Sequence, residues 1–218
     1  MGQKRTLGVV EDSTGVHRRD LDARERILEA AWKNLAELGY SKLTVGGVAA
    51  DAGVGKATLY RSWPNKAALV LDVIRSQLHD VPTDDLGDSR QEMLTLANEA
   101  MLRFYGSGRL RAVLPSLVGD LFDDETLREV MRVEILETRK RQSTVVLERA
   151  VARGVLPEDT DVSLVLDMWA GTMLFRSLFG ADAVSEEDVV RLVDATIASP
   201  PRRPAEVTDG DARRAGLS

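Results

Sequence analysis

Residues 43–69 read LTVGGVAADAGVGKATLYRSWPNKAAL, and the rest of the chain is best understood outward from them. Thr44 is suited to cap a short helix over Val45–Ala52, which Gly53 stops. A second short helix follows over Gly55–Ser62. A helix, a tight turn at Gly53-Val54 and another helix make a helix-turn-helix, with the glycine supplying the backbone freedom of the turn. Val48, Ala49, Ala52 and Val54 are the apolar set that packs the two helices, and Leu59 is the inward residue of the second. This leaves Gly55, Lys56, Ala57, Thr58, Tyr60 and Arg61 on the outer face. Small residues there let the backbone approach a duplex, and the polar tips can donate to phosphates or base edges. Pro64-Asn65 breaks the chain, and Asn65 opens a fourth helix reaching about Leu78.

Upstream, Asp22 followed by Glu25 has the pattern of a capping box. Leu28, Ala31, Leu35 and Leu38 then form one apolar stripe, ended by Gly39. Downstream of the linker VPTDDLGD, Ser89 and Glu92 repeat the capping pattern for a helix to about Tyr105. A helix near Ala112–Asp120 follows. A long helical run starts at Asp124 and ends at Arg153, before Gly154 and Pro157, with a break expected near Leu136–Thr138. Asp161–Phe179 is next, ended by Gly180, and Ser185 caps a last helix to about Ala198. No segment alternates with the period of a strand, so the expected fold is all-α. Its organisation reads as a flexible arm (1–20), a head with its connecting helix (21–80), a helical body (85–198) and a disordered tail (199–218).

Composition narrows the function. The 218 residues contain no cysteine, which removes disulfides, thiol catalysis and Cys-based zinc sites. The two histidines, His17 and His79, stand apart, and no HExxH, Gly-rich phosphate loop or Ser-His-Asp set is present, so neither a metal site nor an enzyme is expected. Net charge is −6, but residues 1–80 hold 12 Lys+Arg against 10 Asp+Glu, leaving the acidic excess to the remainder. A weakly basic head on an acidic body is compatible with nucleic-acid binding when the positive groups share a face. The start has no secretory pattern, and Val162–Phe179 is interrupted by Ser163, Asp167, Thr172, Arg176 and Ser177. It reads as a poor membrane span, so the expected location is cytoplasmic.

The stretch resembles the signature of the TetR family of helix-turn-helix transcription regulators. The resemblance rests on Ala49…Gly53-Val54, Thr58-Leu59-Tyr60, Trp63, Pro64-Asn65-Lys66 and Leu69, with Gly39-Tyr40 and Leu43-Thr44 upstream. It covers roughly Arg24–Ile74. It implies a three-helix head, a C-terminal helical bundle of about nine helices in all, and a homodimer on a palindromic operator. It also implies roles: Thr44, Thr58, Tyr60 and Lys66 toward phosphates, Lys56 toward a guanine edge, Ala57 toward a thymine methyl, and Arg61 toward phosphate. Gly55 stands beside them where a serine is common. Arg18 and Arg19 of the arm are further candidates. The chain departs from the pattern at Gly46 and Gly47, where relatives can carry base-reading side chains, so little readout is expected from that helix.

The resemblance further implies a dimer interface and an effector pocket in the body. Leu164, Met168, Leu174, Leu178, Val189, Val193 and Ile197 are the interface candidates, because Leu164–Phe179 is apolar nearly all round and needs covering on both sides. Leu96, Met101, Phe104, Tyr105, Leu117, Leu121, Phe122, Met131, Trp169, Met173 and Phe175 are the pocket candidates, a set of Met and aromatic side chains suited to an apolar or weakly polar ligand. No cofactor is expected. The resulting expectation is a repressor released from its operator by a small molecule. An activator, and an interaction module that has lost DNA binding, are the rival readings.

Overall fold

Three short helices of the head pack through buried apolar side chains: Val45 and Val48 on one, Leu59 alone on the next, and Leu69, Val70, Leu71, Val73 and Ile74 on the third. The computed structural model describes residues 13–78, 80–99, 102, 108–179 and 184–204. For 13–20, 108, 109 and 112 the description is limited to the backbone. His79, Met101, Phe104, Tyr105, Gly180 and residues 205–218 therefore lie outside it, as do the side chains of His17, Arg18 and Arg19. The described chain is helical, and it divides into two compact units: residues 1–77 with 116–130, and 78–115 with 131–218.

In the first unit, helix α1 (Ser13–Lys42) starts well before Asp22, which is an interior residue and not a cap. No proline interrupts residues 13–21, so the helix propagates through what composition marked as an arm. Ile27, Leu28, Ala31, Trp32 and Leu35 are buried, whereas Leu38 is 46% exposed and leaves the expected stripe. Gly39 ends the regular helix at φ 76°, ψ 169°, a conformation that favours glycine. Helix α2 (Val45–Asp51) is capped by Thr44, α3 (Lys56–Ser62) follows, and α4 (Lys66–Arg75) is capped by Asn65. The turn between α2 and α3 places Gly53 at φ 66°. Leu59, Trp63, Leu69, Val70, Val73 and Ile74 complete the core with the inner face of α1. The same unit contains the end of α6 (Gly108–Asp123) and α7 (Glu125–Met131), where Asp124 Oδ1 accepts from the Leu127 amide at 2.8 Å.

The second unit is built on α5 (Ser89–Leu96), α8 (Thr138–Ala152), α9 (Val162–Phe179) and α10 (Glu186–Ala198). Asp88, not Ser89, caps α5, accepting from Gln91 N at 3.0 Å. Glu92 is free for another task as a result. Its buried carboxylate takes Arg149 and Arg153 at 2.8 Å each and accepts the Leu86 amide at 2.9 Å. Arg149 also donates to the carbonyls of Thr83 and Asp84, so the linker is strapped down on α5 and α8. Burial alone would push the Glu92 carboxyl up. The hydrogen bonds from Arg153, Arg149 and Leu86 outweigh it and hold the group below its ordinary value.

After Leu96 the chain continues in π geometry over 97–99 and at 102, and Tyr105, where the helix was expected to end, lies outside the described residues. The long run from Asp124 shows no break at Leu136–Thr138; it passes through a π-helical segment, Arg132–Glu137, that overlaps the expected position at its end. Trp169 is fully buried and donates its indole N–H to Thr196 Oγ1 at 2.8 Å, tying α9 to α10. Ser185 caps α10 as expected, and the Asp188 side chain completes a capping box there. By length and composition α9 is apolar enough to cross a bilayer, since its few polar residues do not offset the mean hydropathy. Its charged residues are nevertheless paired, Asp167 with Lys140 and Arg176 with Asp188.

The tail does not begin at Ser199. Pro200 is buried, Asp161 N donates to Pro201 O at 2.9 Å, Arg203 N donates to Asp159 O at 2.7 Å, and Thr160 and Arg202 form an antiparallel bridge. Two prolines pre-set extended backbone here, and that backbone pairs with the chain entering α9.

Candidate nucleic-acid interface

The outer face of α3 is assembled by the burial of its inner one. Leu59 has no exposed surface, which fixes the helix by a single buried side chain. Gly55, Lys56, Ala57, Tyr60 and Arg61 are consequently exposed, and Thr58 is half-buried. Tyr60 is 53% exposed, a large ring left toward solvent. Trp63 behaves oppositely. It is buried and donates Nε1–H to Asp72 Oδ2 at 2.8 Å, the same oxygen that accepts from Arg24 at 2.9 Å. Trp63 is thus a packing residue that binds α3 to α4 and, through Asp72, to α1.

Helix α2 is held from behind. Asn34 of α1 donates to Asp51 Oδ2 at 2.7 Å and to its own helix at Ala30 O. Thr44 is exposed, and its hydroxyl oxygen accepts from Gly47 N at 3.0 Å. The hydroxyl proton remains for another acceptor. The two glycines of α2 have different neighbours. A methyl added at Gly46 would lie 2.9 Å from Lys56 Cε and 3.1 Å from Nζ, so the lysine rests across the first turn of α2. One added at Gly47 would meet Thr44 Oγ1 at 3.1 Å.

Lys66 is engaged. Its ammonium donates to Tyr40 O at 3.0 Å and, at 3.5 Å, to Ser41 O, and stands 3.9 Å above the Tyr40 ring. Tyr40 in turn donates its amide to Asp120 Oδ2 at 2.9 Å and its hydroxyl to Asp124 Oδ2 at 3.1 Å. Burial, with the two aspartates, raises the phenol well above its ordinary value. The Leu127 amide, opposed by burial and assisted by Tyr40 and Lys66, holds Asp124 below the usual carboxylate range. This cluster was not foreseen. The sequence offered Asp124 only as a helix start and Tyr40 only as part of a signature, and the pairing spans some eighty residues of chain.

The pocket candidates do not form one set. Leu96, Trp169 and Met173 are buried in the second unit with Met131, and Leu117 is buried in the first. Leu121 is half-buried, while Phe122 and Phe175 are 79% and 63% exposed. Of the interface candidates, Leu164 and Met168 are exposed and Leu174, Leu178 and Ile197 half-buried. Val189 and Val193 are fully buried within their own unit and do not belong to an open face. The sequence periodicity of α10 marks an apolar side without saying which neighbour covers it.

Residues 27–73 match the family model for bacterial regulatory proteins of the tetR family, and residues 83–196 match that of the tetracyclin repressor-like C-terminal domain. An HTH-type transcriptional regulator of Bacillus subtilis, YdeS, is 35% identical over 80% of this chain and 88% of its own length. A DNA-binding transcriptional repressor, TetR, of Mycobacteroides abscessus is 31% identical over 77% of this chain and 88% of its own. Among solved structures, the TetR family transcription regulator SCO0332 superposes with a TM-score of 0.62 at 26% identity, covering 81% of this chain and 97% of that one. The flavonoid-responsive regulator FrrA, at 24% identity and TM-score 0.62 over 83% and 98%, shares the fold.

Proposed function

Because this chain belongs to the TetR family of helix-turn-helix transcriptional regulators, we propose that it is a homodimeric repressor which leaves a palindromic operator when a small molecule binds. The observation that carries the DNA half is the outer face of α3, where Lys56, Tyr60 and Arg61 are exposed around the small residues Gly55 and Ala57. Lys56 is the base-reading side chain, and Ala57 can meet a thymine methyl. Thr44, Thr58, Tyr60 and Arg61 serve phosphates. Lys66 joins them with the donor that Tyr40 and Ser41 leave over, since an ammonium has three.

Dimerisation is supported by the open face of α9. Leu164, Met168, Phe175 and Phe179 recur at helical spacing, and each is 43–72% exposed. Such a stripe is larger than scattered surface leucines and suits a self-complementary contact. A homodimer on a palindrome would meet half-sites one turn of DNA apart, about 34–36 Å. An apolar or weakly polar effector is the ligand class that suits a body whose buried side chains include Leu96, Met131, Trp169 and Met173. A repressor acting this way works in the cytoplasm, where its operator is.

Selection from a random duplex pool tests the reading. Enrichment of a palindrome with half-sites one helical turn or slightly more apart is expected. Absence of any enriched sequence at modest salt would reject sequence-specific operator binding.

A further inference from the structure

Among the residues of the head, Gly46 has a neighbour that its place in a helix does not require. Glycine is a poorer helix former than alanine, and Gly46 stands in the first turn of α2. At Gly46 the space where a Cβ would sit is taken by the end of the Lys56 side chain, at 2.9 Å from Cε and 3.1 Å from Nζ. No such contact exists at Gly53 or Gly55, where an added methyl would meet nothing within 4 Å. Gly47 faces Thr44 Oγ1, at 3.1 Å, and not the lysine.

We infer that Gly46 is a specificity-determining positioning residue: it forms a notch on α2 that holds the Lys56 side chain and so selects which base edge its ammonium reaches. The inference rests on the DNA-reading role proposed for α3. Lys56 is the first residue of α3, exposed, on a four-carbon stem that would otherwise sample many rotamers. Laying that stem in a groove removes much of the freedom it would lose on binding. Helix α2 thereby takes part in readout without presenting a base-reading side chain of its own.

An alanine at Gly46 suits the helix and displaces only the mobile end of the lysine, so Gly46→Ala is expected to fold with no loss of thermal stability. The test measures binding of the wild type, Gly46→Ala, Lys56→Ala and the double variant to a selected operator and all its single-base-pair variants. Gly46→Ala is expected to change preference by roughly fivefold or more, the scale of a single base contact. The change should fall at the base pairs where Lys56→Ala also changes it, and nowhere else. In the Lys56→Ala background, Gly46→Ala is expected to change nothing. Gly47→Ala, which presses on Thr44, should act alike with and without Lys56. An equal effect of Gly46→Ala in both backgrounds, or an unaltered preference when Lys56 is present, would overturn the inference while leaving operator binding intact. A wild-type chain that selects no sequence would overturn the DNA reading and the inference with it.

Discussion

Lys66 is engaged in packing yet keeps a donor for the phosphate contact proposed for it. Two of its three donors point at the Tyr40 and Ser41 carbonyls, and its charge lies over the Tyr40 ring. Lys66→Ala is therefore expected to do two things. It should cost about 1 kcal/mol of stability through the lost charged hydrogen bond and cation–π contact. It should also weaken binding to all duplexes alike and lower the salt slope by about 1. Thermal melts and salt titrations separate the two: a destabilised variant with an unchanged slope would confine Lys66 to packing. Gly53 gives a simpler expectation. An added methyl there meets nothing within 4 Å, so the cost of Gly53→Ala is that of the backbone at φ 66°, about 1–2 kcal/mol. Gly53→Asn should recover part of it, as asparagine tolerates this region better; equal losses in the two variants would point to something other than backbone conformation.

At the scale of elements, the helices themselves were legible and their fastenings were not. Periodicity and caps located α2, α3 and α10 to within a residue or two and the start of α4, because Thr44, Asn65 and Ser185 bond to amides three residues away, while α4 ends at Arg75, three residues short of the expected Leu78. The same local logic misassigned α5. Ser89 and Glu92 have the spacing of a capping box, but Asp88 was the nearer competent cap, and Glu92 was drawn to arginines some sixty residues on. The α3 face could be read because one buried residue, Leu59, fixes it. The Gly46–Lys56 contact could not, since it depends on how two helices cross. Glu92 also makes a quantitative expectation possible. Its side chain is 1% exposed and those of Arg149 and Arg153 are 20% and 28% exposed, so removing it strands two partly hydrated cations. Glu92→Ala should cost about 2–3 kcal/mol, below the full value for a wholly buried pair because the arginines can rehydrate. Since its folded pKa lies below its unfolded one, the unfolded state binds the proton more readily. The stability Glu92 supplies is present above the ordinary carboxylate range and is lost as pH falls through it and past the folded pKa. Melting temperatures of the wild type and Glu92→Gln should converge on acidification below about pH 4; parallel curves would mean that Glu92 titrates alike in both states.

For the molecule as a whole, the proposed dimer turns on which apolar residues would face a second copy. Interface and core look alike in sequence, and Val189 and Val193 were assigned to the first but lie wholly in the second. Met168, 48% exposed on the same stripe as Leu164, Phe175 and Phe179, is the sharper probe. In a two-fold contact each residue occurs twice, so Met168→Glu would bury two like charges in an apolar patch, a penalty that dissociation relieves by restoring hydration. The expected variant is a folded monomer by sedimentation, with the helical circular dichroism and melting of an intact chain. Its operator affinity should fall by about 10²–10⁴, because two heads no longer bind as one ligand. Val189→Glu is the contrast: a carboxylate at a position with no exposed surface should unfold the second unit and not merely split the dimer. If Met168→Glu stays dimeric with operator affinity intact, the α9 face is not the interface, and the two heads must be paired through some other surface of the body.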